Sequence, residues 1–282
     1  MLSEEGKLKG DLTIFNWGDG TWWIMGSYYL RAWHMRWFND HLTDGVSILD
    51  LGENWAGFSL SGPKSKEVIS RITDFPVDEL KFMGCANMDI GLIKAKVGRI
   101  SVTGELGYEI NCRIGDHIGL RRLLLEAGAE CGIREFGFNA LLSLRLEKGF
   151  GIWSAEFTQG YTPGMTGMDR WIDWEKEQFI GQAAAIKERD GNGPAQKLVM
   201  LEIDADDADA SGYEPIWNND SLVGFVTSGG YGHTLKKSLA MALVNNDLAS
   251  ENQRLKVHVV GVEKDATVIQ ASPYDPEGKV MR

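Results

Sequence analysis

The last third of the chain places the strongest limit on its fold. From residue 197 onward, short apolar runs rich in β-branched residues alternate with Asp, Asn and Gly. These runs read VMLEID, EPIW, LVGFVTSGG, SLAMALV and RLKVHVV. Short strands at this spacing predict a small closed barrel or a sandwich. We place the start of this all-β domain at residue 191, inside a polar stretch that ends at Pro194.

The preceding residues mix strands and helices. Two short apolar runs flank Gly18-Asp19-Gly20 and predict a β-hairpin. Further strands are predicted at residues 46–51, 56–61, 88–97, 99–103 and 107–112. Helices are predicted at residues 28–41, 62–73, 116–129 and 138–148, with a short one after residue 181. This order lacks the repeated strand–helix–strand units of a parallel sheet, so it predicts an α+β architecture.

Composition excludes several classes of function. The 282 residues include 40 acidic and 29 basic side chains, a net charge of −11, which argues against a nucleic-acid partner. No apolar run reaches the roughly 18 residues of a membrane span, and no export signal is recognisable at the N-terminus. Three widely spaced cysteines suit a reducing compartment such as the cytoplasm. The five histidines are scattered, so no metal site is expected.

Five of the ten tryptophans fall between Trp17 and Trp37. Core packing is the favoured interpretation for most of these rings. One or two of them could instead line a cleft for a flat heteroaromatic ligand, because aromatic rings stack on one another.

Three local motifs make the sequence recognisable. They are GKLKGDLTIF, which carries Asp11; VTGELGYEI, which carries Glu105 and Glu109; and LRLEKG, followed by TPG and DWEKEQFIG. In this order they resemble the folate-dependent aminomethyltransferases, the glycine-cleavage T-proteins. The residues of these motifs are also similar to those of the folate-binding half of dimethylglycine and sarcosine dehydrogenases. The resemblance covers essentially the whole chain.

The resemblance implies a fold of three domains arranged as a ring around tetrahydrofolate. It divides the chain into residues 1–45 as a remnant of the first α+β domain, 46–190 as a second α+β region that returns to the first, and 191–282 as the C-terminal barrel or sandwich. No glycine-rich dinucleotide motif is present, so FAD is not expected on this chain. Family members have on the order of a hundred residues before this point, the scale of a domain. We therefore expect a fragment, a processed piece or a short form. Its exposed aromatic surface would then be covered by a partner chain or by self-association.

The resemblance also assigns roles to residues. Asp11 falls on the family's catalytic acid, and Glu109 on the glutamate that holds the pterin edge. A carboxylate can accept two adjacent pterin N–H groups through strong charge-assisted bonds, and one near the reactive amine can take its proton. The residues alone leave alternatives without a functional role open: Asp11 could be a turn residue, and Glu109 could be a solvent-facing strand residue. The other ligand-binding residues implied by the resemblance are Glu105, Tyr108, Val102 and Trp171.

Two positions depart from the T-protein pattern. Val102 stands where T-proteins have a tyrosine near the pterin, and Leu141 stands where they have an arginine that contacts folate. The function implied by the resemblance is one-carbon transfer to tetrahydrofolate, giving 5,10-methylenetetrahydrofolate. The donor would be a small aminomethyl, imine or N-methyl-derived group, and a separate flavin domain or partner chain would oxidise an N-methylamine. Alternatives are a folate-dependent O- or S-demethylase, or a non-catalytic folate-binding or assembly module. The compartment would be the cytoplasm, or the mitochondrial matrix in a eukaryote.

Overall fold

The computed structural model describes all 282 residues, which form two compact units. The first unit contains Met1–Asp11 and Phe138–Pro276, and the second contains Leu12–Gly137 and Glu277–Arg282. The three-part division predicted above stays a prediction.

The second unit begins with a β-hairpin of two strands, β1 (Thr13–Asn16) and β2 (Trp22–Met25), followed by helix α1 (Arg31–His41). An antiparallel sheet follows, with the strand order β3-β6-β5-β4. Its strands are β3 (Trp55–Ser61), β4 (Cys85–Ile90), β5 (Ile93–Gly98) and β6 (Gly107–Arg113). Two helices accompany the sheet, α2 (Ser65–Ser70) and α3 (His117–Ala127).

The two faces of this sheet differ in character. Successive side chains of a strand point to opposite faces, and on β6 the buried set is Tyr108, Ile110 and Cys112. They share an apolar core with Leu120 and Leu124 of α3, so this face is closed by helices. The alternate residues of β6, which include Glu109, therefore lie on the other face.

The first unit is built around a closed, antiparallel six-stranded barrel with the order β10-β7-β12-β11-β8-β9. Its strands are β7 (Gln196–Ile203), β8 (Pro215–Asn218), β9 (Ser221–Gly232), β10 (Lys237–Asn245), β11 (Arg254–Val259) and β12 (Val262–Ile269). Three helices complete the unit: α4 (Phe138–Lys148), α5 (Pro163–Thr166) and α6 (Gln182–Asp190). Of the two all-β forms predicted, the barrel is confirmed.

Helix α4 packs on the outside of the barrel. Leu146 joins Met200, Leu239 and Met241 in a buried cluster separate from the barrel interior. The helix ends at Lys148 because Gly149 adopts a φ of 73°, the left-handed conformation that terminates helices. Its predicted bounds match the observed ones.

Several local predictions were wrong. Residues 46–51 and 99–103 form no strand. In the first range Val46 and Leu49 are exposed, and β-branched residues favour a strand only where neighbours pack on them. The run 88–97 is not one strand: the chain turns at Gly91, with a φ of 58°, so its residues fall on β4 and β5. Strand β12 was missed, because three consecutive charged residues obscure its alternation.

Candidate functional site

Glu109 lies in the middle of a row that crosses the non-helical face of the sheet. The strand register places it opposite Gly98 on β5 and opposite Ser59 on β3. On the far side of Gly98 stands Cys85 of β4. The row thus offers one carboxylate flanked by residues with small side chains or none.

The hairpin provides an aromatic wall next to this row. The ring of Phe15 lies directly over Gly98, so close that a Cβ at that position would come within 2.5 Å of it. Trp17 stacks on Phe15 with ring centroids 5.5 Å apart. Trp17 also carries the ammonium group of Lys96 over its ring, 4.2 Å from the centroid. The glycine therefore allows the buried Phe15 ring to form a wall beside the carboxylate.

The Glu109 carboxylate has no counter-ion in the protein. It forms no ion pair or hydrogen bond with another residue, and burial raises the pKa of this carboxyl above its ordinary value. Lys96 is its diagonal neighbour on β5. The Lys96 ammonium group instead donates a hydrogen bond to Asn87 and lies over the rings of Trp17 and Trp23. A half-buried carboxylate without a donor fits a ligand that brings N–H groups of its own.

This raised pKa gives a stability prediction. Because the folded state holds the proton more tightly than the unfolded chain, the ionised carboxylate destabilises the fold as the pH rises through the raised pKa. We expect Glu109→Gln to be more stable than the unaltered protein at pH 7 to 8. Below the ordinary glutamate pKa of 4.5 the difference should vanish. Urea unfolding across this pH range measures it.

The exposed Glu126 of α3 provides the matched control for that series. Glu126→Gln should not make the protein more stable at pH 7 to 8. A Glu109→Gln protein that is less stable at neutral pH would contradict the prediction. It would mean that the carboxylate has a stabilising partner in the fold.

The other site residues predicted from the VTGELGYEI motif lie outside the row that contains Glu109. Val102 and Glu105 lie half-buried in the loop between β5 and β6, whose turn is stabilised by side-chain oxygens of Ser101 and Thr103. Tyr108 is fully buried in the helix-covered core, on the face opposite Glu109. The structure thus brings Val102 and Glu105 to the loop before β6, while Tyr108 points away from the row that contains Glu109.

Asp11 ends the N-terminal segment of the first unit and lies in an irregular stretch after Gly10. This segment is held in place by a hydrogen bond of 2.9 Å from the amide of Leu8 to the carbonyl of Tyr161. The Asp11 side chain is half-buried and forms no ion pair at close range. Burial raises the pKa of this carboxyl, although the positive charge of the Met1 ammonium group acts in the opposite direction. Trp171 lies in a 3-10 turn and is 67% exposed, beside the guanidinium of Arg170.

Sequence reasoning missed two features of the first unit. One is a cleft of about 750 Å3, and none of the predicted site residues lines it; its walls include Arg145, Leu146, Tyr213, Gly230, Tyr231 and His233. The other is a buried ion pair between Arg145 and Glu156. The arginine stands in the LRLEKG motif, but nothing in the sequence spacing identified its partner eleven residues later.

Three further observations concern classes of function. No three His, Cys, Asp or Glu side chains gather closely enough to hold a metal ion. No helix combines the length and the apolar character needed to cross a membrane. All three cysteines are free thiols.

Comparison with known proteins identifies the family. Residues 1–176 match the GCVT N-terminal domain, and residues 196–275 match the glycine cleavage T-protein C-terminal barrel domain. The chain belongs to the glycine-cleavage T-protein family. The crystal structure of the glycine cleavage system aminomethyltransferase T from Bartonella henselae superposes with a TM-score of 0.86 over 98% of this chain and 74% of that one. At 23% identity this similarity concerns the fold, and it confirms the expected aminomethyltransferase fold with its C-terminal barrel.

Two kinds of relative are similar to this T-protein family member in sequence. Human mitochondrial dimethylglycine dehydrogenase is 32% identical over 276 residues, which cover 96% of this chain and 32% of that protein. The aminomethyltransferase of Geobacillus sp. strain WCH70 is 30% identical over 281 residues, 99% of this chain and 76% of that protein. The chain therefore spans about a third of the length of the dimethylglycine dehydrogenases it matches.

Proposed function

We propose that this chain transfers a one-carbon unit to tetrahydrofolate and gives 5,10-methylenetetrahydrofolate. The observation that carries the proposal is the unpaired, half-buried carboxylate of Glu109 beside an aromatic wall, in a chain of the T-protein family. The pterin ring is flat and presents two adjacent N–H donors. Its flat shape therefore complements the aromatic wall, and its donors complement the carboxylate.

The two acids take separate roles in this proposal. Glu109 accepts hydrogen bonds from the pterin edge and fixes the orientation of the ring. Asp11 takes the proton of the reactive folate amine or stabilises a cationic iminium, a task suited to a half-buried carboxylate. Val102, Glu105 and Trp171 remain proposed contacts of the ligand. Tyr108 is proposed on the family pattern alone, since its ring lies in the core.

Glu109→Gln should weaken tetrahydrofolate binding by about 1.5–3 kcal/mol, the contribution of hydrogen bonds to a charged group. Glutamine accepts through one atom only, and its NH₂ group would face the pterin donors. Isothermal titration calorimetry of the two proteins measures the change. Glu126→Gln, on the helix-covered side of the sheet, is the control.

An unchanged affinity would remove Glu109 from the site, and Glu105, four positions earlier in the same motif, would become the next candidate. An equal loss of affinity in the control variant would also count against the assignment. It would show that any reduction in acidic charge lowers the affinity.

The one-carbon donor follows from the relatives only as a proposal. Relatives are named aminomethyltransferase and dimethylglycine dehydrogenase. We therefore propose either an aminomethyl group or an imine from an oxidised N-methylamine as the donor. In the second case a flavin domain or partner chain would perform the oxidation. We propose a reducing compartment, cytoplasm or mitochondrial matrix, for the three free thiols.

A second candidate function is a folate-binding module without turnover. It is favoured by Leu141, which occupies the position of a folate-contacting arginine in T-proteins. Folate titration followed by a methylene-transfer assay separates the two candidates: binding without product formation supports the module, and product formation supports the transferase.

A further inference from the structure

Glu109 has a polar neighbour on the same face of β6 that the one-carbon chemistry does not use. This neighbour is Asn111, two residues further along the strand. Residues i and i+2 of a strand share a face and lie about 6.8 Å apart. The two side chains therefore stand next to each other on the open side of the sheet, and a single flat ligand can contact both.

Glycine on the adjacent strand makes room for the Asn111 amide. Asn111 is paired with Gly57 of β3, and its Oδ1 atom lies only 2.5 Å from where a Cβ of residue 57 would be. The amide therefore rests on bare backbone at Gly57. With the oxygen turned towards β3, the amide nitrogen is the donor that remains for a ligand.

The protein itself makes no use of this amide. Asn111 forms no hydrogen bond with another residue, although it is half-buried. Its cross-strand partner on β5 is Lys96, which donates at 2.7 Å to Asn87 and lies over the tryptophan rings. The amide atoms of Asn111 are not fully buried, so this amide stays accessible and can donate to a ligand.

The chemistry of the pterin edge matches this pair of side chains. The edge carries the 2-amino group, then the ring N–H, then the 4-oxo group in sequence. A carboxylate suits the first two, which are donors, and an amide N–H suits the third, which is an acceptor. We propose that Asn111 recognises the group at position 4 of the pterin and makes the site prefer 4-oxo pterins to 4-amino pterins. This inference rests on the proposed folate function of the same site.

The test compares two ligands, tetrahydrofolate and its 4-amino analogue, tetrahydroaminopterin. The analogue has an amino group in place of the 4-oxo group and an unprotonated ring nitrogen in place of the ring N–H, so the contact with Glu109 changes as well, and the Asn111 variants isolate the contribution of this amide. For the unaltered protein, calorimetry should show tighter binding of tetrahydrofolate. Asn111→Leu should reduce this preference by about five- to tenfold, the scale of one hydrogen bond, chiefly through weaker tetrahydrofolate binding. Asn111→Asp has acceptors only, so it should shift the preference towards the 4-amino ligand.

Asn218→Leu provides the matched control, since Asn218 is also a half-buried strand residue but belongs to β8 of the barrel. It should leave the preference unchanged, and thermal unfolding of each variant checks the fold. If Asn111→Leu weakens both ligands equally or neither, Asn111 does not read position 4, while the folate function stands. If the unaltered protein binds neither ligand, the proposed function fails and this inference fails with it.

Discussion

Asp11→Asn is expected to keep the fold and to slow one-carbon transfer by at least about 10²-fold, the usual effect of removing a positioned acid–base group. Asparagine has nearly the same shape, so the half-buried position can accept it. It cannot take a proton from the folate amine, and it carries no charge to stabilise an iminium. Burial already raises the pKa of Asp11, so replacing its carboxylate relieves a desolvation cost and should not weaken the fold.

The rate of 5,10-methylenetetrahydrofolate formation measures this effect, with a donor system that supports turnover by the unaltered protein. Asp220→Asn, in the exposed turn between β8 and β9, makes the same chemical change away from Asp11 and should leave the rate unchanged. Tetrahydrofolate affinity should change far less than the rate, because the proposed role of Asp11 is in the chemical step. Near-normal turnover with asparagine at residue 11 would reject the assignment.

The barrel could be predicted because each of its runs is short, apolar and bounded by turn residues. The exception is β12, in which Glu263, Lys264 and Asp265 follow one another. Two of these acids form ion pairs with Lys256 on the neighbouring strand, so the charges belong to a sheet surface. A period-two pattern weakened by such pairs cannot be recognised without knowing the neighbour.

The candidate site divides in a similar way. The motifs marked Asp11 and Glu109, because both lie within short patterns that the family resemblance supplies. Asn111 could not be recognised in this way, since its environment depends on Gly57, which is 54 positions earlier in the chain and joins it only through strand pairing. The wall beside Glu109 likewise depends on Phe15 meeting Gly98. Contacts of this kind are set by register, which sequence periodicity does not fix between distant strands.

The tryptophan-rich segment shows the same limit. Core packing was favoured for most of its rings, yet Trp17 is buried and Trp22 is 60% exposed. Alternation along the two hairpin strands explains the difference, because Phe15 and Trp23 face the sheet while Ile14 and Trp22 face away. Counting aromatic residues in a segment does not show which face each ring will take.

Glu156→Leu is expected to lower the free energy of unfolding by about 3–5 kcal/mol, the cost of breaking a buried ion pair by removing one partner. Glu156 is completely buried and accepts a hydrogen bond of 3.0 Å from the guanidinium of Arg145. It also accepts bonds from the hydroxyls of Thr227 and Ser228 and from the amide of Ile152. A leucine would leave Arg145 as a buried charge with its carboxylate partner gone, and these donors would lose their acceptor.

Urea unfolding of the variant measures this loss, and the double variant Arg145→Met, Glu156→Leu distinguishes its cause. If the loss comes from an unpaired buried charge, removing the arginine as well should restore a large part of the stability, because apolar side chains often replace buried pairs without penalty. Glu202→Leu is the control: this glutamate pairs with Lys237 on the partly exposed barrel surface, where an ion pair contributes at most about 1 kcal/mol. Equal losses in the single and double variants would contradict this account. The hydrogen bonds of Thr227, Ser228 and Ile152, rather than the charge of Arg145, would then determine the stability at this position.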